Sequence, residues 1–331
     1  MDLPPDLRTA LDAAVGGLPR LGPAVERLIA RYRLPDTPAS EPILAGAVEV
    51  AAYAAYRMPA TYAAVRTVLA QVAVGHPTFD PASLLDVGGG TGSAAWAATD
   101  IFAGLTGVTV LDQVEAALDL GRRLGQARPA LRHATWRRWR VGEALPAADL
   151  VTVSYVLGEL PAARRDELVR AAADAAGVLV LVEPGTPLGY GRILTARDAL
   201  LASGWRVVAP CPHGAACPIV RRPAASGPNL TDRLGDDWCH FAVRVNRSAV
   251  HRRAKGATLG YEDEKFAYVA VTRAEVARQP ARVLRHPEKR KGMVRVRLCT
   301  PSGAAVDEVI SQRQGERYRA ARDLAWGDPW D

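Results

Sequence analysis

Before residue 80 the apolar positions recur at helical spacing. Leu7, Leu11 and Val15 fall every fourth residue, and the stretches PAVERLIARYRL and EPILAGAVEVAAYAAYRM continue that rhythm. Pro59 opens PATYAAVRTVLAQVAV, where a proline costs nothing because the first helical turn leaves its N–H unpaired anyway. The spacing predicts a helical N-terminal region over residues 1–79.

From residue 84 short apolar runs alternate with helix-like segments: SLLDVGGG, GVTVLD, TWRRWRVG, DLVTVSYVLG, GVLVLVEPG and GWRVVAP. Buried-type strands alternating with helices are the sequence form of a parallel sheet covered on both faces. One crossover helix is drawn in detail. After Gly191, an apolar stripe runs through Ile193, Leu194, Leu200 and Leu201 with Arg197 inside it, and Gly204 supplies the stop. A seventh strand, KFAYVAVTR, arrives only at residue 265, about 55 residues after the sixth and far beyond an ordinary loop. The expectation is an α/β, Rossmann-like domain over 80–275 with a seven-stranded sheet and a cysteine-bearing insertion at 211–264. A C-terminal extension over 276–331 follows, in which MVRVRLC and AAVDEVI form a hairpin about Pro301-Ser302-Gly303. Alternation in its first strand puts Arg295 and Arg297 on one face.

The turn after the first strand carries candidate chemistry. In LLDVGGGTGSAAWAA, Gly88, Gly90 and Gly92 permit positive φ and close approach of a ligand to the backbone, and the helix behind them offers free N–H groups. The G-x-G-x-G spacing, with Thr91 inside it and Asp86 just before it, resembles motif I of the S-adenosylmethionine-dependent methyltransferases. Asp112, about 20 residues on at the end of the second strand, is placed to accept ribose hydroxyls. Gly142 and Glu143, after the third strand, fill the position that approaches the adenine. A doubly wound fold that has lost its ligand is the plain alternative. Catalytic groups are sparser: the fourth strand leads into SYVLGELP, where Tyr155 and Glu159 are the candidates, with capping and packing as their ordinary uses.

Charge is uneven. Residues 1–205 hold 19 arginines and no lysine against 21 acids, a net −2; residues 206–331 hold 23 basic against 14 acidic residues, a net +9. A basic field concentrated in one part favours a polyanion such as RNA, and Arg252, Arg253, Lys255, Lys289, Arg290 and Lys291 are its candidate phosphate contacts. The N-terminus has the acids Asp2, Asp6 and Asp12 and no secretory pattern, and no apolar run spans a bilayer. The expectation is a monomeric cytoplasmic protein without membrane contact, whose thiols stay reduced.

Four cysteines remain: Cys211 and Cys217 in PCPHGAACP, Cys239 in DWCHF and Cys299 in RLCTP. Thiolate ligation explains them more economically than four unrelated thiols. An all-sulfur site suits Zn²⁺ or an iron–sulfur cluster. The C-x-x-C knuckles of structural zinc are missing, and the wide spacing suits a larger cluster. Zinc, with His213 or His240 as a possible mixed ligand, and unliganded thiols stay open as alternatives.

Together AAYRMPATYAAV, LLDVGGGTGS, SYVLGELP, VLVEPGTPLGY, PCPHGAACP, DWCHF, GYEDEKFAYVAV, RKGMVRVRLCTPSG and GERYRAARDLAWGD resemble the methyltransferase-like assembly factors of the mitochondrial small ribosomal subunit and their bacterial relatives. That resemblance implies a class I methyltransferase fold, a [4Fe-4S] cluster on the four cysteines, and action on small-subunit rRNA or the assembling small subunit. Two other readings are carried beside it. One is a non-catalytic RNA-binding assembly factor with a vestigial cofactor loop; the other is a small-molecule methyltransferase with a structural zinc.

Overall fold

The computed structural model describes residues 1–15, 21–33, 46–220, 237–256 and 258–331, without side chains at 29, 31–33, 254 and 255. Helices α1 (Pro5–Val15), α2 (Leu21–Arg33), α3 (Ala47–Tyr56) and α4 (Met58–Gly75) make up the N-terminal region. Leu7, Leu11 and Val15 are all buried, as their spacing requires. Pro59 sits in the first turn of α4, and the chain bends between α3 and α4 at Arg57. The part of the helical expectation over 34–45 lies outside the described residues.

The main sheet is built from β1 (Ser83–Val87), β2 (Gly107–Asp112), β3 (Thr135–Arg138), β4 (Ala148–Ser154), β5 (Ala176–Pro184), β6 (Arg206–Ala209), β7 (Phe241–Asn246) and β8 (Tyr261–Thr272). Its order is β3-β2-β1-β4-β5-β8-β6, with β7 on β8. Strands β1 to β5 pair in parallel. β8 runs against both β5 and β6, so β6 keeps the direction of the rest. This is the class I methyltransferase arrangement expected from the sequence. The expected count of seven strands is exceeded by one, because the insertion contributes β7. β8 is long enough to pair with three strands: Tyr261–Phe266 with β7, Phe266–Thr272 with β5, and Ala270–Thr272 with β6. It therefore starts inside the span read as insertion.

Alternation along the strands divides the core in two. Leu84, Leu150, Val178 and Val180 point to the face covered by α4, α5 (Ser93–Ile101) and α6 (Glu115–Gly125). Their neighbours Leu85, Val151, Leu179 and Leu181 point to the other face; the short α7 (Pro129–Arg132) precedes β3, and α8 (Ala162–Ala175) and α9 (Pro187–Ala202) cover this side. Registers Leu84↔Leu150↔Val178 and Leu85↔Val151↔Leu179 keep each row in one layer. Each fully buried aliphatic side chain there contributes roughly 1.5–3 kcal/mol. A one-residue slip would reverse every one of them.

The C-terminal extension is more than a hairpin. The predicted pair is present as β11 (Met293–Cys299) and β12 (Ala305–Ser311), but β9 (Ala281–Val283), β10 (Glu288–Arg290) and β13 (Pro329–Trp330) join them in a second, five-stranded sheet. Val294, Val296 and Leu298 face its core, while Arg295 and Arg297 on the opposite face both approach Asp307 at 3.6 Å. Among the described residues no helix is long and apolar enough to cross a membrane.

Candidate functional site

The glycine turn follows β1 directly. Gly88, Gly90 and Gly92 have φ of 69°, 55° and 84°, in the left-handed region. A methyl on Gly88 would lie 2.4 Å from Val156 Cγ2, and one on Gly92 2.5 Å from Trp136 Cη2, so neither position has room for a side chain. The Gly89 N–H donates to the Leu111 carbonyl at 3.0 Å and ties the loop to the end of β2. Asp112 stands at that end as expected, with its oxygens already engaged: Oδ2 accepts from the Gly90 N–H at 2.9 Å and Oδ1 from the Val114 N–H at 2.8 Å. Burial pushes its carboxyl above the ordinary range, against the pull of these donors. Behind the loop the Thr91 hydroxyl, and at the end of β4 the Ser154 hydroxyl, are buried without a protein partner.

Asp86 is a correction. Expected among the cofactor contacts, it is fully buried, accepts from Thr152 Oγ1 at 2.9 Å, and lies beneath Gly89, whose added methyl would meet its carboxylate at 2.5 Å. Burial pushes it up to about 7. It props the loop from below and does not reach the open side. Gly142, with φ of 101°, and Glu143 form the exposed turn after β3, stapled by Trp139 Nε1 donating to the Glu143 carbonyl at 3.1 Å.

At the end of β4, Tyr155 has φ of 63°, a strained value for a non-glycine residue. Its hydroxyl donates to Glu264 Oε1 at 2.9 Å. Arg57, at the bend between α3 and α4, grips Glu264 through two bonds of 2.9 and 2.8 Å and lies 4.6 Å over the Tyr155 ring. Burial and then Glu264 push the Tyr155 hydroxyl well above its ordinary value, so it holds its proton. Beside it, fully buried Glu183 accepts from the Leu157 N–H at 3.0 Å and pairs with Arg192 at 3.3 Å; burial raises it to about 7. Glu159 is exposed on the following 3₁₀ turn. Arg57, Glu183 and Glu264 had no assigned role in the sequence. A bidentate pair joining the N-terminal region to β8 follows only from the sheet order.

The four cysteines come together. Cys211 follows β6, Cys217 closes the same loop, Cys239 precedes β7 and Cys299 ends β11, and all four line one cavity of about 30 Å³. On the scale where a water needs roughly 10–15 Å³, that is room for two or three, so the sulfurs surround a space rather than one another. None is in a disulfide. Among the described residues no three His, Cys, Asp or Glu side chains converge on a single ion position. Tyr190 donates to Cys217 Sγ at 2.9 Å, and His213 Nε2 lies 3.2 Å from Cys299 Sγ. Burial, then neighbouring thiols, raise Cys299 to about 12; burial also raises Cys211 and Cys239. His240 is turned away, its Nδ1 3.0 Å from the Trp238 carbonyl and its ring stacked on Trp238. The signal that could have exposed the wall of this cavity is Arg197: a cation inside the apolar stripe of α9 needs a buried partner.

The candidate phosphate contacts fall on separate elements. Arg252 and Arg253 are exposed on the helix Ala249–Lys255, which packs through Val250 against α2 and α3. The Lys255 side chain lies outside the described residues. Lys289 and Arg290 are exposed on β10, with Lys291 in the turn that follows.

The strand order, the glycine turn and the acid at the end of β2 define a methyltransferase-like protein of class I. The chain belongs to the family of the mitochondrial small ribosomal subunit protein Rsm22, whose model matches residues 47–331. It is 30% identical over 297 residues to the human ribosome assembly protein METTL17, mitochondrial, with 83% of this chain and 61% of that protein covered. It is 25% identical over 323 residues to the Rsm22-cox11 tandem protein 2, mitochondrial, of Schizosaccharomyces pombe, with 85% of this chain and 43% of that protein covered. The chain thus spans less than two thirds of the length of these relatives. Among solved structures it is similar to an O-methyltransferase family protein from Burkholderia thailandensis, at 16% identity and a TM-score of 0.43, over 56% of this chain and 67% of that one. The fold assignment rests on the strand order above.

Proposed function

We propose that this chain is an S-adenosylmethionine-binding assembly factor of the small ribosomal subunit, with an iron–sulfur cluster held by Cys211, Cys217, Cys239 and Cys299. The observation that carries the reading is the convergence of four sequence-distant cysteines on one cavity at the carboxyl edge of a methyltransferase-like sheet, in a chain of the Rsm22 family. A single zinc ion needs its sulfurs about 2.3 Å from one point. A cluster of several irons spreads its ligands wider, and an all-sulfur donor set suits it. Zinc is the alternative occupant.

Cofactor binding is assigned to the glycine turn, the first N–H groups of α5, Asp112 and the Gly142–Glu143 turn. S-adenosylmethionine would supply an electrophilic methyl group there. What the chain's own residues supply is support: Asp86 and Thr152 hold the loop from beneath, and Asp112 orients it. Tyr155 keeps its own proton and donates it to Glu264, so it is not placed to take one from an acceptor. That observation favours an assembly factor that binds the cofactor without methylating. Lys289, Arg290 and Lys291 would meet rRNA phosphates, with Arg252 and Arg253 a second contact. Association with the small subunit follows the family's description and a role in ribosome assembly the human relative's name, and both relatives are mitochondrial by name; a cytoplasmic monomer is the proposal carried from the sequence.

One anaerobic preparation tests this. Iron and sulfide in stoichiometric amounts, heat on mixing with S-adenosylmethionine, and binding to stripped small subunits are the expected results. A colourless protein with one zinc defeats the cluster, and a well-folded, metal-loaded protein giving no heat favours the vestigial loop. Methyl transfer to the stripped subunits would overturn the non-catalytic reading.

A further inference from the structure

Two arginines stand in the wall of the four-cysteine cavity. Arg197 comes from α9 and is 3% exposed; Arg282 comes from β9 of the second sheet and is 2% exposed. A buried guanidinium costs several kcal/mol unless an anion faces it. Among the described residues the one carboxylate on Arg197 is Asp198, at 2.8 Å but 60% exposed, where water screens it. Its Nη2 turns to the carbonyls of His213 at 3.2 Å and Ala215 at 2.7 Å, and its Nε is buried with no partner. Arg282 meets, among the described residues, only neutral acceptors: the Pro210 carbonyl at 3.1 Å, the Gly327 carbonyl at 2.9 Å and the Gln71 amide oxygen. Among the described residues no carboxylate lines the cavity. On its other side Tyr190 donates to Cys217 and His213 approaches Cys299. Cations and donors therefore face sulfurs, and among the described residues nothing else in the wall supplies the negative charge they require.

We propose that Arg197 and Arg282 are the counter-cations of a dianionic tetrathiolate centre, and that Tyr190 donates a hydrogen bond to one of its sulfurs. The inference rests on the reading that the cavity holds such a centre. Four thiolates around a doubly positive core leave two negative charges, whether the core is an iron–sulfur cube in its oxidised form or a zinc ion. Two buried guanidiniums match them. In an iron centre, cations and hydrogen bonds at the sulfurs favour the more electron-rich state and raise the reduction potential. Arg197, Arg282 and Tyr190 are positioning residues in this scheme; the cysteines are the ligands.

The full chain is purified anaerobically, assayed for iron, sulfide and zinc, and titrated with dithionite under spectroscopic detection, beside Tyr190→Phe, Arg197→Gln and Arg197→Lys. Tyr190→Phe removes one hydroxyl and should load iron as the parent does, with its midpoint potential shifted downward. Arg197→Gln should lose iron or, where it stays loaded, show a lower potential; Arg197→Lys, which restores the charge without the fork, should recover loading. Loaded Tyr190→Phe and Arg197→Gln with the parent's potential overturn the inference and leave the cluster standing. Arg197→Lys failing like Arg197→Gln assigns the residue to packing and overturns it as well. A parent chain with zinc and no iron overturns the cluster reading alone, and the inference then requires Arg197→Gln to weaken zinc roughly 10- to 100-fold. Unchanged zinc affinity overturns it there, and a chain holding neither metal overturns both.

Discussion

The glycine turn and the cysteine cavity occupy the same carboxyl edge of one sheet, the first beside β1 and β2, the second beside β6 and β8. The turn draws its groups from residues 86–143, a continuous run from β1 through β3 with the helices between them. The cavity draws its sulfurs from residues 211–299 and from two sheets. The turn works by what is missing, since atoms at Gly88 and Gly92 would collide with Val156 and Trp136. The cavity works by what is present and unsatisfied: four thiols around a space, with two buried cations. A site of the first kind is preorganised by the backbone. One of the second kind reaches its full stability only with its occupant.

The sharpest break between them is Cys239→Ser or Cys299→Ser. Each should abolish the metal centre and cost several kcal/mol of folding stability, toward the roughly 10 kcal/mol scale of structural metal sites. The heat with S-adenosylmethionine should survive. Metal analysis and thermal unfolding check the first part, and calorimetry the second; loss of cofactor heat in these variants would make the two sites one. Next in size is Arg57→Ala, which strips the bidentate partner from Glu264 and frees the Tyr155 ring. Breaking such a pair costs on the order of 3–5 kcal/mol, read from denaturant midpoints, with metal content unchanged.

Gly88→Ala probes the other side. Alanine at φ of 69° with its methyl 2.4 Å from Val156 carries about 1–3 kcal/mol of local strain. At about 1.4 kcal/mol per tenfold, the affinity for S-adenosylmethionine should fall roughly ten- to a hundredfold while the cluster stays. A Gly88→Ala chain that binds as well as its parent would show that the turn does not touch the ligand.

The same contrast explains what could be read from the sequence. In the glycine turn, spacing is nearly sufficient, because a strand, a tight turn and a helix have little geometric freedom. Asp112 and Gly142 accordingly stand where their spacing put them. Asp86 was misplaced because the residue before such a turn points inward or outward by strand alternation, and its side chain takes the inward face of β1. The cavity was legible only as a count of cysteines. That Cys299 meets Cys211 depends on the second sheet, whose short strands β9, β10 and β13 carry two or three residues each and no periodic signal. Arg57 and Glu264 lie 207 residues apart, and no local pattern joins them.

A weaker effect lies on the surface. Changing Lys289, Arg290 and Lys291 to glutamate should lower affinity for small-subunit rRNA and reduce the salt dependence by about one in logarithmic slope for each phosphate left unneutralised. Neither interior site should notice, and an unchanged slope removes β10 from the interface.

The smallest effect is electrostatic and belongs to the glycine side. Burial raises Asp86 and Glu183 to about 7 from ordinary values of 3.8 and 4.5. Both therefore keep a proton in the folded chain at pH values where the unfolded chain has released it. Their favourable contribution is complete below the unfolded values and is lost as pH rises through the folded ones, so stability should fall between pH 6 and 8, by about 1.4 kcal/mol per group. Asp86→Asn can still accept from Thr152 and cannot ionise. It should match the parent only below about pH 4, be more stable than the parent at pH 6 and still more so at pH 8, and leave the remaining decline to Glu183. Urea midpoints at the two pH values decide this. An Asp86→Asn chain with the parent's full pH dependence would mean that the carboxylate under the loop is already ionised, with a donor or cation beneath Gly89 compensating it, and the loop would then be held by charge as the cysteine cavity is.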